Sequence, residues 1–190
     1  MRWAWLFLAA CAVGAIVTFL PRDAAAPFTG TLPVLATAPT WTLRDLEGRE
    51  VRAVDFAGKV VVLDFWATWC EPCVREIPGY VALQKKYADQ GLVVLGVSVD
   101  TAGAAVVRRF ATDHLMNYTL LMADDAIVKA YGGVSAIPTT FLLDHESRIR
   151  HRKVGTADPS EYESLVVSLL KEKAAADVAA TPPAVTAPKP

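Results

Sequence analysis

Two cysteines, Cys70 and Cys73, stand with only Glu71 and Pro72 between them, close enough to close a small disulfide ring. The apolar run Val60-Val61-Val62-Leu63 comes before them, followed by the single charge of Asp64. After them, Val74, Ile77, Val81, Leu83 and Tyr87 recur among polar residues in a helical pattern. The pair therefore sits where a buried strand hands over to a helix, with Cys70 at the helix N-terminus. Free N–H groups and the macrodipole favour an anion there, and the thiolate is the reactive form of cysteine. The chemistry this predicts is thiol–disulfide exchange. Cys70 would attack and hold the mixed disulfide, and Cys73, one turn further in, would resolve it. So small a loop makes a poor permanent staple, which suits a disulfide that is made and broken.

The neighbouring residues suggest how the pair is tuned. Glu71 sets negative charge beside Cys70 and opposes thiolate formation, offsetting part of the helix-end effect. Pro72 suits the first helical turn. Asp64 interrupts a run that otherwise reads as buried. Burial raises a carboxyl pKa, so Asp64 could take a proton from Cys73 through a water, or be a bonded structural group. Glu76 follows Cys73 by three residues and shares its helix face, although an amphipathic helix also carries such charges on its surface. Trp66 and Trp69 are expected to pack around the disulfide. A structural zinc site needs four ligands, and His114, His145 and His151 lack ligand spacing. A haem attachment site needs His where Val74 stands. No metal is expected, and no cofactor beyond the redox-active disulfide Cys70–Cys73. A different class of function remains open: a binding module holding Cu(I) on the two soft thiolates.

These residues need a scaffold. The chain has 190 residues, enough for one domain with extensions. Lys and Arg total 19 against 20 for Asp and Glu, which gives no support to a nucleic-acid partner. Residues 3–20 carry no charge, a run long enough to span a bilayer. Residues 1–22 are thus read as a membrane anchor or signal segment. A retained anchor is preferred, with a cleaved signal ending near Ala24-Ala25-Ala26 and a lipoprotein box at Leu8-Ala9-Ala10-Cys11 as alternatives. All three export the domain, and Arg2 agrees with a positive inside. Residues 23–37, rich in Pro, Ala and Thr, read as a linker.

A domain is expected over residues 38–173. Trp41-Thr42-Leu43 and Val51-Arg52-Ala53 flank turn-forming residues and predict a β-hairpin. A strand over 60–65 leads to a helix from about Pro72, bent at Pro78 and stopped at Gly91. Residues 92–99 predict a central parallel strand. Asp100 and Thr101 are candidate caps for a helix over 104–113, and a short strand and a short helix follow near 118–122 and 126–131. Pro138 marks a strand start, and residues 149–154 return as an edge strand protected by its charges. Asp158 or Ser160 caps a last helix. Residues 174–190, Ala/Pro-rich without a pattern, are expected to be a disordered tail. Alternating strands and helices point to an α/β domain, a mixed central sheet with helices on both faces.

Asp64-Phe65-Trp66-Ala67-Thr68-Trp69-Cys70-Glu71-Pro72-Cys73, Pro78, Ile137-Pro138-Thr139 and Gly155 resemble the thioredoxin fold in order and spacing. The Trp-Cys-Glu-Pro-Cys core, the preceding hairpin, the extra helix and strand between residues 101 and 122 and the N-terminal segment are similar to the TlpA/ResA/DsbE group. The resemblance covers about residues 38–173. It implies a thioredoxin-like fold with a hairpin extension and a helix–strand insertion. It also implies a protein-disulfide reductase held at the cell membrane and facing the periplasm or exterior, re-reduced by a membrane electron donor. Its client proteins would be an apocytochrome c in cytochrome c biogenesis, or a copper-site assembly protein of an oxidase. By resemblance, Pro138 is cis and faces the disulfide, and the Ile137 backbone pairs with an extended client. Trp69, Glu71, Pro72, Ile137 and Pro138 are then the client-binding residues. Asp64 takes the place of the buried acid, and Glu76 lies near the active site and affects cysteine titration. DsbE-type members carry an acidic residue after the cis-proline; Thr139 here leans toward TlpA or ResA. The alternatives are a disulfide oxidant or isomerase, and a Cu(I)-binding chaperone of the same fold, whose members usually add a distant His and a wider Cys spacing.

Overall fold

Two β-branched runs make the centre of the molecule. All seven residues of β4 (Val60–Trp66) are buried, and β5 (Leu92–Ser98) lies parallel to it along its whole length. Strands without polar alternation suit a sheet covered on both faces. The computed structural model describes residue 28 and residues 30–180. The expected anchor at residues 1–22 and the tail beyond residue 180 lie outside the described residues. Among these, no helix is long and apolar enough to cross a membrane.

The remaining elements are β1 (Ala36–Thr37), β2 (Thr42–Asp45), β3 (Glu50–Arg52), α1 (Glu71–Tyr87), α2 (Ala104–Asp113), β6 (Thr119–Met122), α3 (Asp125–Ala130), β7 (Thr139–Leu143), β8 (Arg148–Val154) and α4 (Pro159–Ala180). The sheet order is β1-β8-β7-β4-β5-β6-β2-β3. β4, β5 and β6 run parallel, linked by α1 and α2. β7 and β8 return antiparallel beside β4, and the β2–β3 hairpin adds to β6.

On one face, Val60 and Val62 meet Tyr80 and Leu83 of α1 and Val166 and Leu169 of α4. α2 joins that face through Val107 and Ala111, which share a cluster with Trp66 and Leu120. On the other face, Val61, Leu63 and Phe65 pack with Ile127 of α3 and with Tyr131 and Phe141. Each large side chain so buried contributes about 1.5–3 kcal/mol. Pro72 lies in the first turn of α1 and Pro78 inside it. A 3-10 turn, Ala88–Gln90, ends at Gly91 with φ +93, so the expected stop holds.

Four expectations are corrected. Folding begins inside the segment read as a linker: Leu32 is buried, and β1 pairs with β8. The open edge of β8 offers backbone partners, and Arg150 holds the carbonyls of Leu32 and Pro33. α4 runs to Ala180, past the expected tail boundary at residue 174, because alanine is the best helix former. Asp100 and Thr101 do not cap α2, whose N-cap is Gly103; Asp100 is occupied elsewhere. Finally, Arg150 and Lys153 do not guard the edge of β8 but are buried. Leu142 pairs with His151 while Leu143 pairs with Ile149, and this slip in register takes Arg150 out of the alternation.

Candidate active site

The loop between β4 and α1 is fixed by the end of β5. Val99 N–H donates to the Trp66 carbonyl at 2.9 Å. The Asp100 carboxylate accepts from Thr68 N–H at 2.9 Å, from the Thr68 hydroxyl at 2.6 Å and from the Ser98 hydroxyl at 2.8 Å. Cys70 N–H donates to the Ala67 carbonyl at 3.1 Å. This clamp sets Cys70 at the N-cap of α1, where its sulfur accepts the Cys73 N–H at 3.3 Å. Cys70 and Cys73 form a disulfide with Cα atoms 5.3 Å apart. Both cysteines are buried, whereas Trp69 beside them is 69% exposed. Glu71 is exposed and pairs with Arg75 at 2.8 Å.

Across from α1, the Ile137–Pro138 peptide is cis. Thr139 Oγ1 donates to the Ala136 carbonyl at 2.7 Å, and Gly155 N–H donates to the Pro138 carbonyl at 2.8 Å. Ile137 packs on the cluster that contains Cys70, Cys73, Trp66 and Ile77. Of the expected client-binding residues, Trp69, Glu71 and Pro72 adjoin the two cysteines along the chain, and Ile137 packs on the cysteine cluster just ahead of Pro138. Trp66 lies under the pair rather than on the surface, its ring centroid 5.7 Å from that of Phe110. Its position depends on Gly96: a Cβ there would come 2.9 Å from Trp66 Nε1 and 2.6 Å from Leu120 Cδ2.

Beneath α1, the sheet carries a polar row. Asp64 is in register with Thr140, and Thr140 with Lys153. Thr140 Oγ1 donates to Asp64 Oδ1 at 2.9 Å and lies 3.0 Å from the Tyr80 hydroxyl. Lys153 Nζ donates to Tyr80 OH at 3.3 Å and also to Glu76 Oε1, which accepts Ala157 N–H at 3.3 Å. Burial pushes the Asp64 carboxyl up to about 7, against the pull of the Thr140 hydrogen bond and the Lys153 charge. A carboxyl so placed can take and return a proton near neutral pH. Glu76 is drawn inward by Lys153, so it is not a surface charge.

Sequence reasoning reaches both cysteines, Asp64, Glu71 and Glu76, and takes Asp100 only for a helix cap. It misses Thr140, Tyr80, Lys153 and Gly96. Tyr80 had a signal: it lies four residues after Glu76 and seven after Cys73 on one helix face. Among the described residues, no three His, Cys, Asp or Glu side chains are grouped to hold a metal ion.

The AhpC/TSA family profile matches residues 34–152. The thiol-disulfide oxidoreductase ResA of Geobacillus thermodenitrificans is 37% identical over 135 residues, 70% of this chain and 76% of that protein. The thioredoxin-like protein YneN of Bacillus subtilis is 38% identical over 128 residues, 66% of this chain and 74% of the other. Among solved structures, a thiol:disulfide interchange protein of the thioredoxin family from Chlorobium tepidum matches with a TM-score of 0.66 at 26% identity, covering 74% of this chain and 99% of that one.

Proposed function

The chain belongs to the AhpC/TSA family and is a thioredoxin-like thiol–disulfide oxidoreductase of ResA/DsbE type, and from that premise we propose that it reduces disulfides of client proteins outside the cytoplasmic membrane. The Cys70 thiolate attacks one client sulfur, and the other client sulfur leaves as a thiolate. Asp64 takes the proton of Cys73, whose sulfur then attacks Cys70 and releases the second client thiolate. Client and enzyme exchange two electrons, and the enzyme ends as the Cys70–Cys73 disulfide. A membrane electron donor returns it to the dithiol.

The observation that carries the direction is Glu71 on the first helical residue. Its charge opposes the helix-end field at Cys70, so the thiolate and with it the reduced form gain less stabilisation than at an uncharged helix start. Strong oxidants of this chemistry owe their high potential to a stabilised reduced form. Trp69, Pro72, Ile137 and Pro138 receive an extended client strand, and Glu76 tunes the cysteines from below. Residues 3–20, uncharged and long enough to span a bilayer, support a retained anchor. Apocytochrome c and proteins of oxidase copper-site assembly are the client classes to examine, by likeness to the TlpA/ResA/DsbE group.

Equilibration against glutathione and dithiothreitol buffers, read by tryptophan fluorescence, tests the direction. A potential near about −270 mV supports a reductant, and one between roughly −180 and −120 mV reverses the direction to oxidant or isomerase.

A further inference from the structure

The polar groups beneath α1 form one chain of hydrogen bonds with a single direction. Lys153 donates to Tyr80, and Thr140 donates to Asp64. The only hydroxyl proton of Thr140 is engaged by Asp64, so in the Tyr80–Thr140 contact the phenol is the donor. Burial, then the charge of Asp64, push the Tyr80 phenol far above its ordinary pKa. It therefore stays neutral and can accept from Lys153 while donating to Thr140. At the outer end, Lys153 bonds Glu76 Oε1, and Glu76 Oε2 is buried without a hydrogen-bond partner. Glu76 lines a cavity of about 280 Å³ between α1 and the start of α4. The hydroxyl of Tyr162, also buried without a partner, belongs to the same cavity. Two unpaired polar atoms in a space of that size are the setting in which proteins hold ordered water.

We propose that Thr140, Tyr80 and Lys153 relay protons between Asp64 and this cavity, so that Asp64 exchanges its proton with solvent along the flank of α1 rather than past the disulfide. The proposal rests on Asp64 being the base for Cys73. While a client occupies Cys70, the face around Trp69 and Pro138 is covered, whereas the cavity between α1 and α4 stays open. When Cys73 closes on Cys70, the Cys73 proton goes to the Asp64 carboxylate, the Cys70–client bond breaks and its electron pair leaves with the client thiolate. Lys153 first gives a proton to Glu76, and Glu76 gives one to cavity water, which leaves Lys153 a neutral amine able to accept. The Tyr80 and Thr140 hydroxyls then turn outward. Tyr80 gives its proton to Lys153, Thr140 gives one to Tyr80, and Asp64 gives its proton to Thr140. Every relay group ends with its original protons, and Asp64 is a carboxylate again. The groups facing Asp64 are Thr140 and Lys153 from the sheet, Glu76 and Tyr80 from α1, Tyr118 ahead of β6 and Tyr162 from α4.

The test is a pH jump on the full chain carrying nitrothiobenzoate as a mixed disulfide on Cys70, formed at pH 5. On a jump to pH 8, release of the chromophore reports how soon Asp64 loses its proton and Cys73 attacks. Wild type begins without a lag. Tyr80→Phe and Thr140→Val, which cut the relay, start at least tenfold later. So does Ala82→Trp, which plugs the cavity from an exposed position and leaves the relay whole. Wild-type onset in Tyr80→Phe and Ala82→Trp overturns the relay. Asp64→Asn separates the two readings, because unchanged release in that variant sinks Asp64 as the base, whatever the relay variants do.

Discussion

Arg150 and Lys153 lie three residues apart on β8, both buried, and they are bonded in opposite ways. Arg150 uses all three of its nitrogens, on Leu32, Pro33, Asp144 and Glu172. Asp144 in turn accepts from the N–H groups of Glu146 and Arg148 and from both arginines. That cluster is closed. Lys153 bonds one oxygen of Glu76 and leaves the other empty over a cavity. A fully satisfied buried network fixes structure, whereas one with a spare acceptor beside solvent leaves room for protons to move. The same strand thus carries a clamp at one end and a tunable centre at the other.

The comparison breaks most visibly at Arg150. Arg150→Met takes one of its two arginines from buried Asp144 and leaves Glu172 and the Leu32 and Pro33 carbonyls without theirs, and should cost roughly 3–5 kcal/mol in denaturant unfolding, with disulfide exchange by the folded fraction unchanged. A loss in exchange rate as large as the loss in stability would show that the two ends are one unit.

The two carboxylates sharpen the contrast, because they respond to pH with opposite signs. Burial would raise Asp144, but the Arg148 backbone N–H and the Arg150 and Arg148 guanidiniums hold it below its ordinary value. Its stabilisation is present at neutral pH and is lost as pH falls through the lowered value. Asp64 sits near 7 when folded against an ordinary 3.8, so between those values the folded oxidised chain binds more protons than the unfolded one. Its contribution therefore declines as pH rises through that window, by about 4 kcal/mol. Asp64→Asn should remove this slope from a series of unfolding curves between pH 4 and 8.

Lys153→Met should cost less than Arg150→Met, about 1.5–3 kcal/mol, because Glu76 keeps the Ala157 N–H and the cavity. It should also raise the pH at which Cys73 resolves, since the Lys153 charge lowers the Asp64 pKa. Equal stability losses in the two variants would mean that the cavity gives Glu76 nothing. The smallest effect belongs to Glu163→Gln in the half-exposed Lys86 pair. Its melting temperature should stay within error of wild type, as such pairs contribute little, and it sets the baseline for the rest.

Much of this was legible in the chain. The apolar runs of β4 and β5, the Cys-x-x-Cys at a helix start and the glycine at residue 91 are local signals, and each lies where the pattern placed it. Asp64 stood out because one charge inside a buried run needs a reason. Lys153 did not, because its neighbours Arg148, Arg150 and Arg152 make it look like one of a row of edge charges. Only the pairing of Thr140 with both Asp64 and Lys153 brings it under α1. Asp100 likewise looks like a local cap, while its partner Thr68 lies 32 residues away. Local period fixes which residues are buried, and strand register decides which of them meet.

The closed cluster at Arg150 has a practical consequence. β8 leads away from it toward the cis-proline, and α4 comes back until Glu172 reaches the same arginine. Residues 32–37 enter there as well. The domain is therefore built like a plug-in cartridge, with its connections at one pole and its thiols at the other. Spliced into a surface loop of a carrier protein, or tethered to an electrode by either end, it would present the cysteines outward.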